Sequence, residues 1–453
     1  MTDQSLRGFL GTLEAEGDLH RVTRPVDTAY EISAVMGLRG LGPAQLFTAV
    51  KGHDMAVVGN VFNHRSRFER ALGLEKGTLD AHCMAALAHP ISPVVVDEGP
   101  VQEVVHEGPV DVGALLPVPH WFERENGAYI TAGVIIARHP ETGRRNVSIA
   151  RFRLEGGNVM MVGIAKNHHL YMMAERAAEL GRELEIAVAI GNHAAVLLGS
   201  QLYLGLGDDE LDTVGAMLGE PLRLVKCRTV DLEVPAEAEI VIEGVIKPEE
   251  LIEEGLVSEF PGFYVSYGPG IRAEARCITH RRDAIYQAIL PGYAPEHCLL
   301  GGAAIGITVC HALQRMIPAV RRVYVTQGGM GRLHCIISMH RPKLGEGKRA
   351  IMAAMGQVNL FKLVIAVEDD IDPEDWTQVE WSLAARFRGD EDMMVIPGVK
   401  ADRCDPVHQD LTITKIGLVA TTRPGDGEPG SRSDYARPPA DVLARVAAEL
   451  GSY

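Results

Sequence analysis

Three separated segments carry side chains that could act on a carboxylate, a proton or a cation. In Asn146-Val147-Ser148-Ile149-Ala150-Arg151 an amide, a hydroxyl and a guanidinium fall close together. The planar guanidinium fork matches a carboxylate better than an ammonium does, which makes Arg151 a candidate carboxylate ligand. A strand-surface ion pair is the commoner fate of such a residue. Asn146 and Arg151 lie an odd number of positions apart, so on one flat strand they would face opposite sides. Lys166-Asn167-His168-His169 and Asp208-Asp209-Glu210 each precede a helix-like run. Imidazole and carboxylate, with an oxygen from Asn146, are a workable donor set for Mn²⁺ or Zn²⁺. Acidic and polar groups that favour a helix N-terminus describe these segments as well. The third segment, Glu253-Glu254-Gly255-Leu256-Val257-Ser258-Glu259-Phe260-Pro261-Gly262, sets carboxylates among apolar residues. Burial there can raise one carboxyl pKa while an Arg keeps another ionised, which separates acid from base. A solvated loop is the bland alternative.

Two further strings read as structural. Gly328-Gly329-Met330-Gly331 lacks the spacing of a dinucleotide fingerprint and leads into a strand, so it reads as a turn. Glu368-Asp369-Asp370-Ile371-Asp372 ends an apolar strand before a helix with Trp376 and Trp381, and reads as an acidic helix entry.

The elements that must position these groups follow from hydrophobic period. Leu6, Phe9, Leu10 and Leu13 recur at helical spacing, and short apolar stretches such as 54–62 follow, which predicts an N-terminal α/β domain over 1–115. From 116 to 300, strand-like runs (129–137, 146–154, 185–190, 222–234, 239–246, 273–278) outnumber helices at 169–180 and 210–218. That pattern predicts a mainly antiparallel, barrel-like central domain. A linking helix is expected within 301–325 and a C-terminal α/β domain over 326–453. Its Gly, Pro and Ser-rich arm, 425–439, leads to a last helix at 441–450, where Val442, Leu443, Val446 and Leu450 could contribute oligomer contacts.

Composition narrows the function classes. The 453 residues are 46% hydrophobic, and 60 acidic against 44 basic side chains give a formal charge of -16, which argues against nucleic-acid or anionic-lipid partners. Seven scattered cysteines without a Cys-x-x-Cys fit a reducing cytoplasm. The first residues do not follow the order of a signal peptide, and no apolar run is expected to reach the roughly 20 residues of a bilayer span.

Taken in order, Asn146 to Arg151, His169-Leu170, Glu210 with Val214-Gly215-Ala216-Met217, and Leu224-Val225-Lys226-Cys227 running into Val234-Pro235 and 239–244 resemble the UbiD family of reversible decarboxylases that use prenylated FMN. The resemblance spans nearly the whole chain. It implies an α+β multidomain fold, with α/β domains at both ends and a central split β-barrel that binds the flavin. It further implies Asn146, His169 and Glu210 as ligands of a divalent metal, usually Mn²⁺, that grips the cofactor phosphate. Thr131, Ser148, Ile149, Ala150, Arg151, His168 and Lys415 resemble other cofactor contacts, and K⁺ near Ser200 fits the family. Arg151, Glu254 and Glu259 resemble the catalytic Arg and Glu pair. In the family's reaction the substrate forms a covalent adduct with the modified flavin, which acts as electron sink while CO₂ leaves. Arg151, tuned by Glu254, would orient the carboxylate, and Glu259 would deliver the replacing proton. The flavin would come from a flavin prenyltransferase, and the protein would form homodimers or larger assemblies.

Three positions depart from the family pattern: Glu253 and Leu256 stand where Pro is common, and Ser258 where Gly is. The stretch Glu296 to Gly302 resembles the family's substrate wall. There Leu300, together with Phe260, would present an apolar surface, and Ile305 stands where a dicarboxylate enzyme would carry an Arg. These features favour an aromatic or heteroaromatic monocarboxylic acid of indole or pyrrole type. Two other readings remain at this point: a metal-dependent hydrolase built on His169 and Glu210, and a non-catalytic flavin-binding subunit.

Overall fold

Ser5 accepts a hydrogen bond from the Gly8 N–H at 3.2 Å and starts the helix Leu6–Ala15, whose Leu6, Phe9, Leu10 and Leu13 are buried as their spacing predicts. The computed structural model describes residues 3–423 and 435–452, so most of the arm expected over 425–439 lies outside the described residues. Strands Leu19–Val22, Ala44–Phe47 and Ala56–Gly59 form the N-terminal sheet. A fourth strand, Ile285–Ala288, returns from far along the chain to pair in parallel with Ala56–Gly59. The N-terminal unit is therefore not closed by residues before 116.

The central sheet is antiparallel at every pairing, as the excess of strands predicts. Its order runs Tyr129–Ile130, Arg151–Gly156, Val159–Gly163, Pro269–His280, Ile240–Glu253, Leu184–Ile190, Val134–Arg138, Arg145–Ile149. Val104–Glu107, from the segment assigned to the first domain, joins it along Pro269–His280. Arg145–Ile149 lies at one end of this order, whereas Arg151–Gly156 lies second from the other, and Ala150 alone joins them. The sheet must curl back until its two ends almost meet. The run expected as one strand over 146–154 is thus two strands with a seam.

The helix expected after Gly301 in fact begins earlier, at Pro295, and ends at Met316, while Val320–Val325 is a strand and not part of a link. Pro at the first helical position costs no hydrogen bond, because that N–H has no partner within the helix. This helix also corrects the expectation about apolar runs: its 22 residues are long and apolar enough to cross a membrane, yet most of it is buried. It packs against Val320–Val325 and the helices Leu79–Ala88, Ala194–Gly199 and Glu346–Gln357. The C-terminal sheet, ordered Val320–Val325, His334–Met339, Leu363–Glu368, Thr412–Ala420, Met393–Lys400, is mixed, with parallel pairs at its centre. Its acidic string is structural, since Glu368 accepts from the Arg341 N–H at 2.7 Å and Asp370 pairs with Arg386. The last helix, Ala440–Ala448, has no buried residue. The molecule is an α+β multidomain fold.

Candidate active site

A cavity of about 550 Å³ opens at the seam of the central sheet, between it and the C-terminal unit. Because the strand breaks at Ala150, the alternation that would send Asn146 and Arg151 to opposite faces is interrupted, and both line this cavity. Thr131, Ser148, Ile149, Ala150, His168, His169, Ser200, Glu210, Glu259, Phe260 and Leu300 line it too. Two of the expected residues do not. Lys415 is buried behind it, with Nζ donating to the Asn359 carbonyl at 2.9 Å. Glu254 lies beneath Arg151, 1% exposed.

Glu254 is delivered by the end of the long strand Ile240–Glu253, whose register against Pro269–His280 shifts between Lys247 and Leu251. The Arg151 Nε and Nη2 donate to its two oxygens at 2.6 Å each. Arg153 and Asn126 hold the Glu254 carbonyl, which fixes the carboxylate from behind. Glu253 is exposed, and this settles which of the doubled glutamates pairs with Arg151. Burial disfavours the Arg151 charge, but the Glu254 hydrogen bonds outweigh it and hold the guanidinium pKa above its ordinary value. Since Glu254 takes the Nε side of the fork, the Nη1 end is the edge left for another carboxylate.

Glu259 opens the turn between Leu256–Ser258 and Tyr264–Ser266, where Pro261-Gly262 reverses the chain and Gly262 takes φ 83°. Glu125 fixes the turn by accepting from the Ser258 N–H at 3.0 Å and hydroxyl at 2.7 Å. The altered loop thus uses Ser258 as an anchor. The Tyr267 hydroxyl donates to Glu259 at 2.9 Å, and burial, then the nearby Glu259 charge, push its pKa up, so it stays a donor. Arg151 and Arg403 both lie over the Tyr267 ring, at 5.4 and 3.8 Å.

Glu210, first in the helix Glu210–Leu218, accepts from the Asn146 amide at 3.1 Å and from the Val147 N–H at 2.8 Å. Burial raises its pKa from 4.5 to about 7. Asn146 Oδ1 is buried with no partner among the described residues. An orphaned amide oxygen beside a desolvated carboxylate lacks a positive partner, and the amide, carboxylate and His169 imidazole suit an ion such as Mn²⁺. Among the described residues no group of three His, Cys, Asp or Glu could hold a metal alone, so further ligands would have to come from elsewhere. Burial lowers the pKa of both His168 and His169, which keeps the rings available as neutral donors of a lone pair.

Sequence reasoning missed Tyr267, Arg332 and Arg403, all of which line the cavity together with His297 of the stretch expected as a substrate wall. The signal for Arg332 was the glycine turn just before it. Glu296, behind the cavity, accepts from the Phe62 N–H at 2.7 Å, and burial raises its pKa from 4.5 to about 7. The folded state then keeps a proton that the unfolded chain has lost, so this contribution to stability is complete below about pH 4 and disappears as pH rises through 7. Glu296→Gln should therefore reduce the loss of stability between pH 5 and 8 by about 2 kcal/mol. Urea titrations at the two pH values measure this, and an unchanged difference would refute it.

Three family models together match most of the chain: the N-terminal domain of 3-octaprenyl-4-hydroxybenzoate carboxy-lyase over 10–87, its Rift-related domain over 93–294 and its C-terminal domain over 298–420. Anhydromevalonate phosphate decarboxylase of Methanothermobacter thermautotrophicus is 34% identical, over 92% of this chain and 96% of its own. The UbiD-class enzyme HmfF of Pelotomaculum thermopropionicum, solved with FMN, superposes with a TM-score of 0.92 at 36% identity, over 99% of this chain and 100% of that one. An evolved dimeric form of it holds prFMN and superposes at 0.88, with 36% identity over 98% of each chain. Vanillic acid decarboxylase of Sedimentibacter hydroxybenzoicus superposes at 0.87, with 27% identity over 100% of each chain. The ordered motifs and the seam that gathers them have their explanation here: the chain belongs to the UbiD family of carboxy-lyases.

Proposed function

We propose that this chain catalyses reversible, non-oxidative decarboxylation of an acid whose carboxyl-bearing carbon belongs to a flat unsaturated or aromatic system, with prenylated FMN as cofactor. The observation that carries this reading is the meeting, in one cavity, of the Arg151–Glu254 pair, the Glu259 carboxylate and the orphaned Asn146 oxygen beside Glu210. Asn146, Glu210 and His169 would hold a divalent ion such as Mn²⁺ and through it the flavin phosphate. K⁺ at Ser200 is the corresponding reading for a monovalent ion, and Thr131 and 148–151 would line the flavin. Prenylated FMN, when bound, supplies an electron sink for the carbon that loses its carboxylate. The free end of the Arg151 fork orients that carboxylate, and Glu254 holds the fork in place. Glu259 carries the proton that replaces CO₂ and accepts it in the reverse direction, with Tyr267 fixing the carboxylate. Leu300 and Phe260 offer apolar walls to a flat substrate, for which indole- and pyrrole-carboxylates are the first ring acids to try.

The test is co-expression with a flavin prenyltransferase, then absorbance and mass of the released ligand, then CO₂ release from unsaturated and aromatic acids. Bound prenylated flavin with turnover is expected, and Glu210→Gln should retain at least about tenfold less flavin. Hydrolysis without any flavin would point to the metal-hydrolase reading. Flavin without CO₂ exchange would point to the non-catalytic one.

A further inference from the structure

Arg145 stands one residue before Asn146, Asp209 stands one residue before Glu210, and these two are bound to each other. The Arg145 Nη2 donates to Asp209 Oδ2 at 2.6 Å, and Nε reaches Oδ2 and Oδ1 at 3.0 and 3.3 Å, so the carboxylate lies across the guanidinium fork. Successive strand residues point to opposite faces. Accordingly Asn146 and Glu210 line the cavity, whereas Arg145 and Asp209 line a separate recess of about 230 Å³. Arg144 extends the same row: its Nη1 donates to the Gly207 carbonyl at 2.5 Å, and a Cβ on Gly207 would overlap that nitrogen. Residues 144, 145 and 146 thus hold 207, 209 and 210 in order.

The row matters because of how Glu210 is delivered. The stretch 200–209, between the helices Ala194–Gly199 and Glu210–Leu218, contains no helix or strand that would fix where the second helix begins. Asp209 caps that helix, its Oδ1 accepting from the Leu211 N–H at 3.0 Å, so the place where Arg145 grips Asp209 is also the place where the helix starts. The hydrogen bonds from Asn146 and Val147 to the same helix end on the Glu210 carboxylate, the group that an ion would claim. The Arg145–Asp209 pair makes no use of that carboxylate. With side chains 10% and 23% exposed, it is also better shielded than the surface bridges that contribute little. Arg138, on the neighbouring strand, supplies a contrast: it pairs with Glu233, whose same oxygen Arg145 Nη1 meets at 3.4 Å, and has no bond to Asp209 among the described residues.

We propose that Arg145 is a positioning residue: acting through Asp209 from outside the cavity, it holds Glu210 in register with Asn146 so that both can serve one divalent ion. This rests on the metal part of the reading above. Ligand atoms must be held to within about 0.5 Å of their working positions, and losing a residue that orients a ligand typically weakens metal binding by about 10- to 100-fold. The experiment titrates Mn²⁺ into the FMN-loaded wild type, Arg145→Gln, Arg145→Lys and, as a matched change, Arg138→Gln. The paramagnetic resonance signal of free Mn²⁺ is the readout, with denaturant midpoints measured in parallel. Arg145→Gln should weaken Mn²⁺ binding by about 10- to 100-fold. Arg145→Lys should lie between it and wild type, because an ammonium keeps the charge without the fork. Arg138→Gln should bind Mn²⁺ as wild type does. Should Arg145→Gln not fold, Asp209→Asn carries the same test, since it keeps an oxygen for the Leu211 N–H and drops the charge that Arg145 grips. Equal Mn²⁺ binding by wild type and Arg145→Gln overturns the positioning role and leaves the metal reading standing. Equal weakening by Arg145→Gln and Arg138→Gln also overturns it, because the effect is then a general loosening. A wild type that binds no Mn²⁺ fails the metal reading, and this proposal with it.

Discussion

Glu259→Gln should lower CO₂ release by about 10²- to 10⁴-fold while flavin content stays at the wild-type level. Gln keeps the length of the side chain and one oxygen for the Phe260 N–H, and the Tyr267 hydroxyl, which meets the other carboxylate oxygen, can rotate to accept from the amide NH2, so the turn should survive. What it removes is a group able to gain and lose a proton. Exchange of the product's hydrogen with solvent deuterium should slow in proportion, because the same group works in both directions. Full activity in this variant would place the proton elsewhere.

The second large effect is expected at Glu254. Glu254→Ala leaves the Arg151 guanidinium in the cavity wall without its carboxylate, and breaking a buried pair on one side costs about 3 kcal/mol or more. Activity should fall together with stability, by roughly a hundredfold or more, because a fork free to turn no longer presents its Nη1 end to a carboxylate. The pair offers a way to separate the two losses. Glu254→Gln combined with Arg151→Gln removes both charges, so denaturant stability should recover much of what Glu254→Ala loses while CO₂ release stays at the level of the inactive single variants. Recovery of both would make the pair a structural element only.

How much of this was legible in the sequence differs by feature. Period-three-and-four spacing gave the helix Leu6–Ala15, and β-branched runs gave the strands of the central sheet, because both reflect which face meets the core. The start of the helix at Pro295 was missed because Gly301-Gly302 reads as punctuation in a sequence. In the fold those glycines are inside the helix, where the turn at 328–331 presses on them. Arg151, Glu254 and Glu259 each read locally as surface charge, and only their ordered likeness to a family joined them. The 2.6 Å fork between Arg151 and Glu254 supports that joining by independent means. Arg332 was signalled only by the glycine turn before it, since no local pattern announces that an arginine will be buried without an acid.

The seam at Ala150 has a consequence for how the protein matures. Residues that are neighbours in the chain, Ile149 and Arg151, belong to strands that meet only after every strand between them has paired. A partly assembled sheet therefore offers Asn146 and Arg151 to no common space, and the flavin proposed to bind there would have nothing to hold until the last pairing is made. Cofactor capture should then act as a proofreading step in biogenesis: it draws the equilibrium only toward completed chains, and a flavin-starved cell should accumulate the least finished ones.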